Sequence, residues 1–416
     1  MLKNIISTLF TKGVVAIINL LILLISSKQL GGDGRGYVSL IILNIAIIQI
    51  ITEIYTGSAT VYFISKQPFR QLYRFGTFWA LLCTLMIVGV MYLLYIFFDI
   101  GVGGFWLHLL LLSFLIIQHS FHMVVILAKE KIKLYNFLNL LQPLLLLLVL
   151  LLFFFGFQNK NFISYIYALY LSFGIAISIS SIQLFKIYQS TAQDTREEFN
   201  PKKIIENGFY NQLANLSHIL SNRYNFYLLG NTVLVGVYSS ATSLIESLWI
   251  ISGSASPIIL AHIANEKDPE NNARLTLAYA KICFLLSFLC VICLYFIPRD
   301  FFVFLLGQDF IHIKTVMLYL SPGVLCISFA TIISHYYSGL GKQKILLMAN
   351  STGFLVTICL SKYLISKDQL LGASYTATLS YATTTIVLVC VFVWQNKFKI
   401  TDFLNLKQDI ALLKKH

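Results

Sequence analysis

Five ionisable side chains, Lys12, Glu53, Arg223, Glu246 and Lys281, stand inside long apolar runs of this 416-residue sequence. A cation in such a place binds anionic groups, and a carboxylate there balances a cation or exchanges an ion or a proton. Each costs about 2.5–3.5 kcal/mol at the centre of a bilayer, so the five together ask for about 15 kcal/mol unless water or counter-charge surrounds them. Lipid-facing placement is therefore disfavoured and a hydrated cavity is expected. Simpler readings stand beside this one. Lys12, Arg223 and above all Lys281 are near enough to span ends to snorkel toward headgroups, and the two carboxylates need only pair with cations.

Neutral polar residues extend the pattern. At 100° per residue, Asn4, Thr8, Thr11, Lys12, Asn19 and Ser26 fall within a sector of about 100° on one helix. Asn207, Asn211, Asn215, His218, Asn222 and Asn225 form a second such stripe, with Gln212 and Arg223 flanking it. Gln49, Thr52, Glu53, Thr56 and Thr60 share a face, and so do Ser239, Ser243 and Glu246. Amides and hydroxyls in lipid either bond neighbouring helices or line a wet cavity, and a stripe as long as the one through Asn211 favours the cavity.

Other arrangements are poorer in chemistry. Cys290-Val-Ile-Cys293 lies in an apolar run and reads as two small side chains one helical turn apart. His119, His122 and His335 stand singly on apolar faces and read as satisfied packing residues. Gly31-Gly-Asp-Gly-Arg-Gly36 lacks the preceding strand of a nucleotide loop. No catalytic triad, paired-carboxylate or metal-ligand pattern is present, so neither an enzyme nor a metal site is expected, and no cofactor beyond a coupling H+ or Na+.

The elements that position these residues follow from composition. With 58% hydrophobic and 11% charged residues and a mean hydropathy of +0.79, the chain is solvated by lipid. Apolar stretches near 5–27, 37–65, 75–98, 104–127, 135–157, 162–185, 203–229, 233–260, 275–297, 315–338, 345–365 and 370–394 predict an all-α polytopic membrane protein of about twelve transmembrane helices. With the N-terminus in the cytoplasm, 20 Lys and Arg fall on the cytoplasmic side and 7 on the other, which places both termini inside. The same bias explains the net charge of +13 without nucleic acid.

The polar stretch 191–202 divides the chain into lobes at 1–190 and 203–395, followed by a basic amphipathic tail at 396–416. Six crossings return each lobe to its starting side, so a repeat must be parallel, with its pseudo-two-fold axis along the membrane normal. Leu30-Gly31 and Leu229-Gly230 recur 199 residues apart as glycine-marked turns after the first helix of each lobe. The loops are too short for a soluble catalytic domain.

Leu30-Gly-Gly-Asp-Gly-Arg-Gly-Tyr37, Asn211-Gln-Leu213, Arg223-Tyr-Asn-Phe-Tyr-Leu-Leu229, Val235-Gly-Val-Tyr-Ser-Ser-Ala241 and Leu244-Ile-Glu-Ser-Leu-Trp249 carry a resemblance. Over nearly its whole length the chain resembles the polysaccharide-unit flippases, O-antigen type, of the multidrug/oligosaccharidyl-lipid/polysaccharide exporter superfamily. The resemblance implies a bacterial inner-membrane protein that moves undecaprenyl-diphosphate-linked oligosaccharides outward by alternating access, for lipopolysaccharide O-antigen, capsule or exopolysaccharide. It implies as partners the lipid-linked substrate and membrane lipids, with a polysaccharide polymerase and chain-length proteins as further candidates. In that role Lys12 and Arg223 would meet the diphosphate, and Asn19, Asn211, Asn215, His218 and Asn222 the glycan. Glu53 and Glu246 would balance charge or couple an ion. Many relatives have fourteen helices, and the shorter chain puts in doubt any lipid groove built from the last pair. The competing reading is an ion-coupled multidrug exporter of the same superfamily, which the cavity cations disfavour for cationic cargo.

Overall fold

The computed structural model describes residues 2–64, 66–98, 104–129, 131–190, 198–265, 268–399 and 402. Most of the expected inter-lobe loop, 191–197, and most of the expected tail, 400–401 and 403–416, lie outside the described residues. What is described is helical with no strand, as lipid demands of a chain that must satisfy its backbone internally.

Among the described residues nine helices are long and apolar enough to cross a membrane, and the pair Thr232–Glu246 and Trp249–Ser256, bent by 46°, makes a tenth, broken span. The longest run, Leu2–Thr56, is two helices merged across a break at Gly31. Pro201–Arg223, with its amide stripe, has the length of a span without the hydropathy. By length and composition the described residues thus hold nine or ten spans against about twelve expected from the sequence, and the break at Gly31 and the polar helix Pro201–Arg223 are where the two counts differ.

The expected glycine turn at Leu30–Tyr37 is shorter than its composition suggests. Gly31 alone leaves the helical region, at φ 67° and ψ −176°, and the helix resumes at once. Arg35, assigned from the sequence to an extramembrane loop, is instead a helical residue, buried to 8% exposure and donating to the Ser26 hydroxyl at 3.4 Å. In the second half Gly230 likewise has a positive φ, at 63°. There one additional residue, Asn231, precedes the new helix and accepts from the backbone N–H of Val233 at 2.8 Å and Leu234 at 3.4 Å.

The chain divides into two compact units. The first comprises Met1–Leu216, Asn231–Gly236 and Leu305–Gly307. Its core joins Ile41, Ile48, Leu109, Leu112, Ile117, Leu150, Phe154 and Leu169, while Phe69–Phe98 turns most of its surface outward. The second comprises Ser217–Gly230, Val237–Phe304 and Gln308–His416, with Ile313–Gly339 and Gln343–Lys367 both packed on Gln369–Asn396. Small polar residues let these helices meet. The Ser380 hydroxyl donates to the Gly353 carbonyl at 2.8 Å, and Ser361 to Asn225 Oδ1 at 2.7 Å.

Candidate functional site

In the second unit Arg223 ends the helix Pro201–Arg223, and Glu246 ends the helix Thr232–Glu246, where the span breaks. The two side chains form an ion pair, with Nη2 on Oε2 and Nη1 donating to Oε1 at 3.3 Å. Glu246 is 8% and Arg223 24% exposed, so the carboxylate is buried and the guanidinium keeps an open edge. The Tyr381 hydroxyl donates to Glu246 Oε1 at 2.8 Å, and the guanidinium also lies over the Phe226 ring at 5.4 Å. A break beside a charged residue is what lipid tolerates where the freed backbone is sheltered by protein or water.

From this pair a row of polar and aromatic groups continues. The Trp249 ring lies 5.9 Å from Tyr381 and 6.2 Å from His218, and Asn222 Nδ2 meets His218 Nε2 at 3.4 Å. Asn222 is buried, and its Oδ1 has no partner among the described residues. One turn on, Asn225 is fully buried and tied to Ala373 and Ser361, so the lower end of the amide stripe is structural. The upper end differs. Asn215 is exposed, donating to Gln212 Oε1 at 3.0 Å, and Asn211 is half-buried with no hydrogen bond among the described residues.

In the first unit Glu53 has no cation beside it among the described residues. Its Oε1 accepts from Gln49 Nε2 at 2.8 Å and from the Ser120 hydroxyl at 3.1 Å. The helix breaks four residues later at Gly57, whose N–H reaches the Glu53 carbonyl at 3.0 Å. On the helix that supplies Ser120, His122 is held on three sides, by Tyr73 at 3.0 Å, Gln118 at 2.9 Å and Ser180 at 2.7 Å. The Ser180 hydroxyl donates to the Ile177 carbonyl at 3.0 Å, which leaves it to accept from His122 Nδ1–H, while Nε2 accepts.

Lys12 and Asn19 are exposed, without hydrogen-bond or ion partners among the described residues. Lys281 is 7% exposed and donates to the Asp402 carbonyl at 2.7 Å. The structure thus brings Arg223, Glu246, Asn222 and His218 into one cluster in the second unit, whereas Lys12 and Asn19 belong to the first. Tyr381, Trp249 and Ser120 join the clusters without having been singled out in the sequence. Tyr381 had a signal, since Thr376, Ser380 and Thr384 recur beside it at helical spacing.

No known family profile matches the chain, and no curated protein matches its sequence. Solved structures do match its fold. An outward-facing multidrug resistance MATE family transporter of the MOP superfamily has a TM-score of 0.68 at 15% identity, covering 99% of this chain and 96% of its own. The lipid II flippase MurJ, inward closed, has a TM-score of 0.66 at 13% identity, covering 99% and 91%. A MOP superfamily transporter from Pyrococcus furiosus, described by a reversed polarity of its binding pocket, has a TM-score of 0.61 at 14% identity, covering 99% and 96%. The chain is an all-α, multi-pass membrane protein with the fold of these transporters.

Proposed function

We propose that the protein is a flippase that carries lipid-linked oligosaccharide diphosphates across the bacterial inner membrane for surface polysaccharide assembly, by alternating access. The observation that carries this reading is the gradient along one span, from the open amides Asn211 and Asn215 through His218 and Asn222 to Arg223. Neutral hydrogen-bonding groups exchange readily with sugar hydroxyls, and a guanidinium at their end suits a phosphate. Arg223 reaches such a ligand only by loosening Glu246. An incoming diphosphate and the carboxylate compete for the same donors, and a released Glu246 then takes up a proton or a cation. Lys12 offers a second cation, without a partner among the described residues, on another polar face, with Asn19 two turns along the same face.

The test is a strain lacking this gene, scored for surface glycan by gel and lectin staining and for lipid-linked units retained inside. Wild type restores the glycan, and Asn211→Ala/Asn215→Ala does not at equal protein level. Normal surface glycan in the deleted strain, with hypersensitivity to cationic dyes, overturns the proposal. That outcome promotes an ion-coupled multidrug exporter, a reading supported by Glu53, a carboxylate bonded only to neutral donors among the described residues.

A further inference from the structure

A groove of about 610 Å³ lies in the first unit between the helices Phe69–Phe98 and Phe162–Ser190. Ile182 and Phe185 form its wall at 58% and 61% exposure, so it opens where acyl chains lie. Its tyrosines are fixed. Tyr73 bonds His122 at 3.0 Å and stacks on Phe121 at 5.7 Å, and Tyr188 holds Arg70, whose Nε donates to its carbonyl at 3.3 Å.

The groove is also lined by Arg74 and Lys186, each within two turns of the end of its helix. Both are exposed, and neither has a carboxylate or hydrogen-bond partner among the described residues. Their basic neighbours are already engaged: Arg70 lies over the Tyr188 ring at 5.2 Å and Lys129 over the Phe69 ring at 4.4 Å. Two such cations lining an apolar, outward-facing slot match a molecule with an anionic head and a hydrocarbon chain. We propose that this groove is a binding site for an anionic diacyl phospholipid, its phosphate on Arg74 and Lys186 and one acyl chain along Ile182 and Phe185. Charge complementarity selects that occupant, because a zwitterionic lipid gains little from two cations, and a basic pocket between transmembrane helices is a recurrent seat for anionic headgroups.

The experiment uses the full chain in maltoside micelles, offered phosphatidylglycerol and phosphatidylcholine in equal amount, with bound lipid read by native mass spectrometry. Wild type retains phosphatidylglycerol in preference. Arg74→Ala and Lys186→Ala each reduce that preference about fivefold, the equivalent of about 1 kcal/mol per cation. Arg74→Lys and Lys186→Arg keep it. Ile182→Trp, which fills the slot and leaves both charges, lowers retention of either lipid. These positions are exposed, so the variants elute as monodisperse protein. The proposal is overturned by equal retention of the two lipids in wild type, by an unchanged preference in Arg74→Ala/Lys186→Ala, or by the same loss in Lys362→Ala, a cation elsewhere on the chain.

Discussion

Gly36 lies so close to the carbonyl of Thr232 that a Cβ on it would overlap the oxygen, and Gly236 stands in the same relation to the carbonyl of Gly32. Adding 200 to a residue number in the first half gives its counterpart in the second: 32 becomes 232 and 36 becomes 236. The contact 36–232 therefore maps onto 236–32, the self-complementary pairing that a two-fold axis produces. Asp33 and Thr232 add a hydrogen bond at the same place. The offset is 199 at the turn glycines Gly31 and Gly230 and 200 beyond them because Asn231 has been inserted as a helix cap. This local symmetry is the structural form of the repeat that the two Leu-Gly turns announce.

Gly36→Ala and Gly236→Ala each press a methyl group against backbone, which cannot rotate away. Each is expected to destabilise by about 1–3 kcal/mol, the usual cost of overpacking. Gly13→Ala is the control, since nothing lies within 4 Å of the added carbon. Thermal unfolding of the detergent-solubilised protein measures all three, and a Gly36→Ala melting curve that overlays wild type would show that the two helix starts separate freely.

Removing Arg223 alone strands a buried carboxylate, whereas removing both charges does not. Arg223→Ala is expected to cost about 3–5 kcal/mol, and Arg223→Ala/Glu246→Gln to recover most of it. Tyr381→Phe removes one charge-assisted hydrogen bond and should cost about 1.5–3 kcal/mol. A double-mutant cycle on unfolding free energy reads the coupling, and additive losses would mean that the pair is not held in the folded protein.

Asn211→Leu and Asn215→Leu test the open end of the stripe apart from its buried end. Asn215 gives up one bond, to Gln212 on the same helix, and Asn211 none, so folded yield should stay near wild type while glycan export falls. Asn225→Leu should behave oppositely, since its amide bonds Ala373 and Ser361 and its loss leaves buried partners unsatisfied, at about 1–3 kcal/mol. Yield and lectin staining, measured on one set of strains, separate the two effects.

Much of this architecture was legible in the sequence, and the reasons are local. A span announces itself by about 20 apolar residues, and the amide stripe of Pro201–Arg223 by its 100° arithmetic. What escaped depends on distance or on a single backbone angle. Tyr381 meets Glu246 from 135 residues away, which no window along the chain detects. Arg35 was read as a loop residue because four glycines surround Asp33 and Arg35, yet the helix pauses only at Gly31 and carries the arginine into the protein. The break after Glu246 had no proline or glycine to mark it. His122 is the satisfied buried histidine that its apolar face predicts, with two partners from other helices and one a turn away on its own.

Glu53 separates a structural carboxylate from a coupling one. Its Oε1 accepts from Gln49 and Ser120, and the carbonyl of a glutamine accepts both bonds equally well. Glu53→Gln should therefore leave thermal stability near wild type, while Glu53→Leu orphans two donors and should cost about 1–3 kcal/mol. If Glu53 serves only the fold, Glu53→Gln transports like wild type. If its charge couples transport to an ion, Glu53→Gln folds normally but loses the response to an imposed Na+ or proton gradient across proteoliposomes. The glutamine variant thus changes the charge while holding the geometry, and transport that still follows the gradient in Glu53→Gln would remove Glu53 from the coupling role and leave Glu246, freed from Arg223 by an anionic ligand, to carry it.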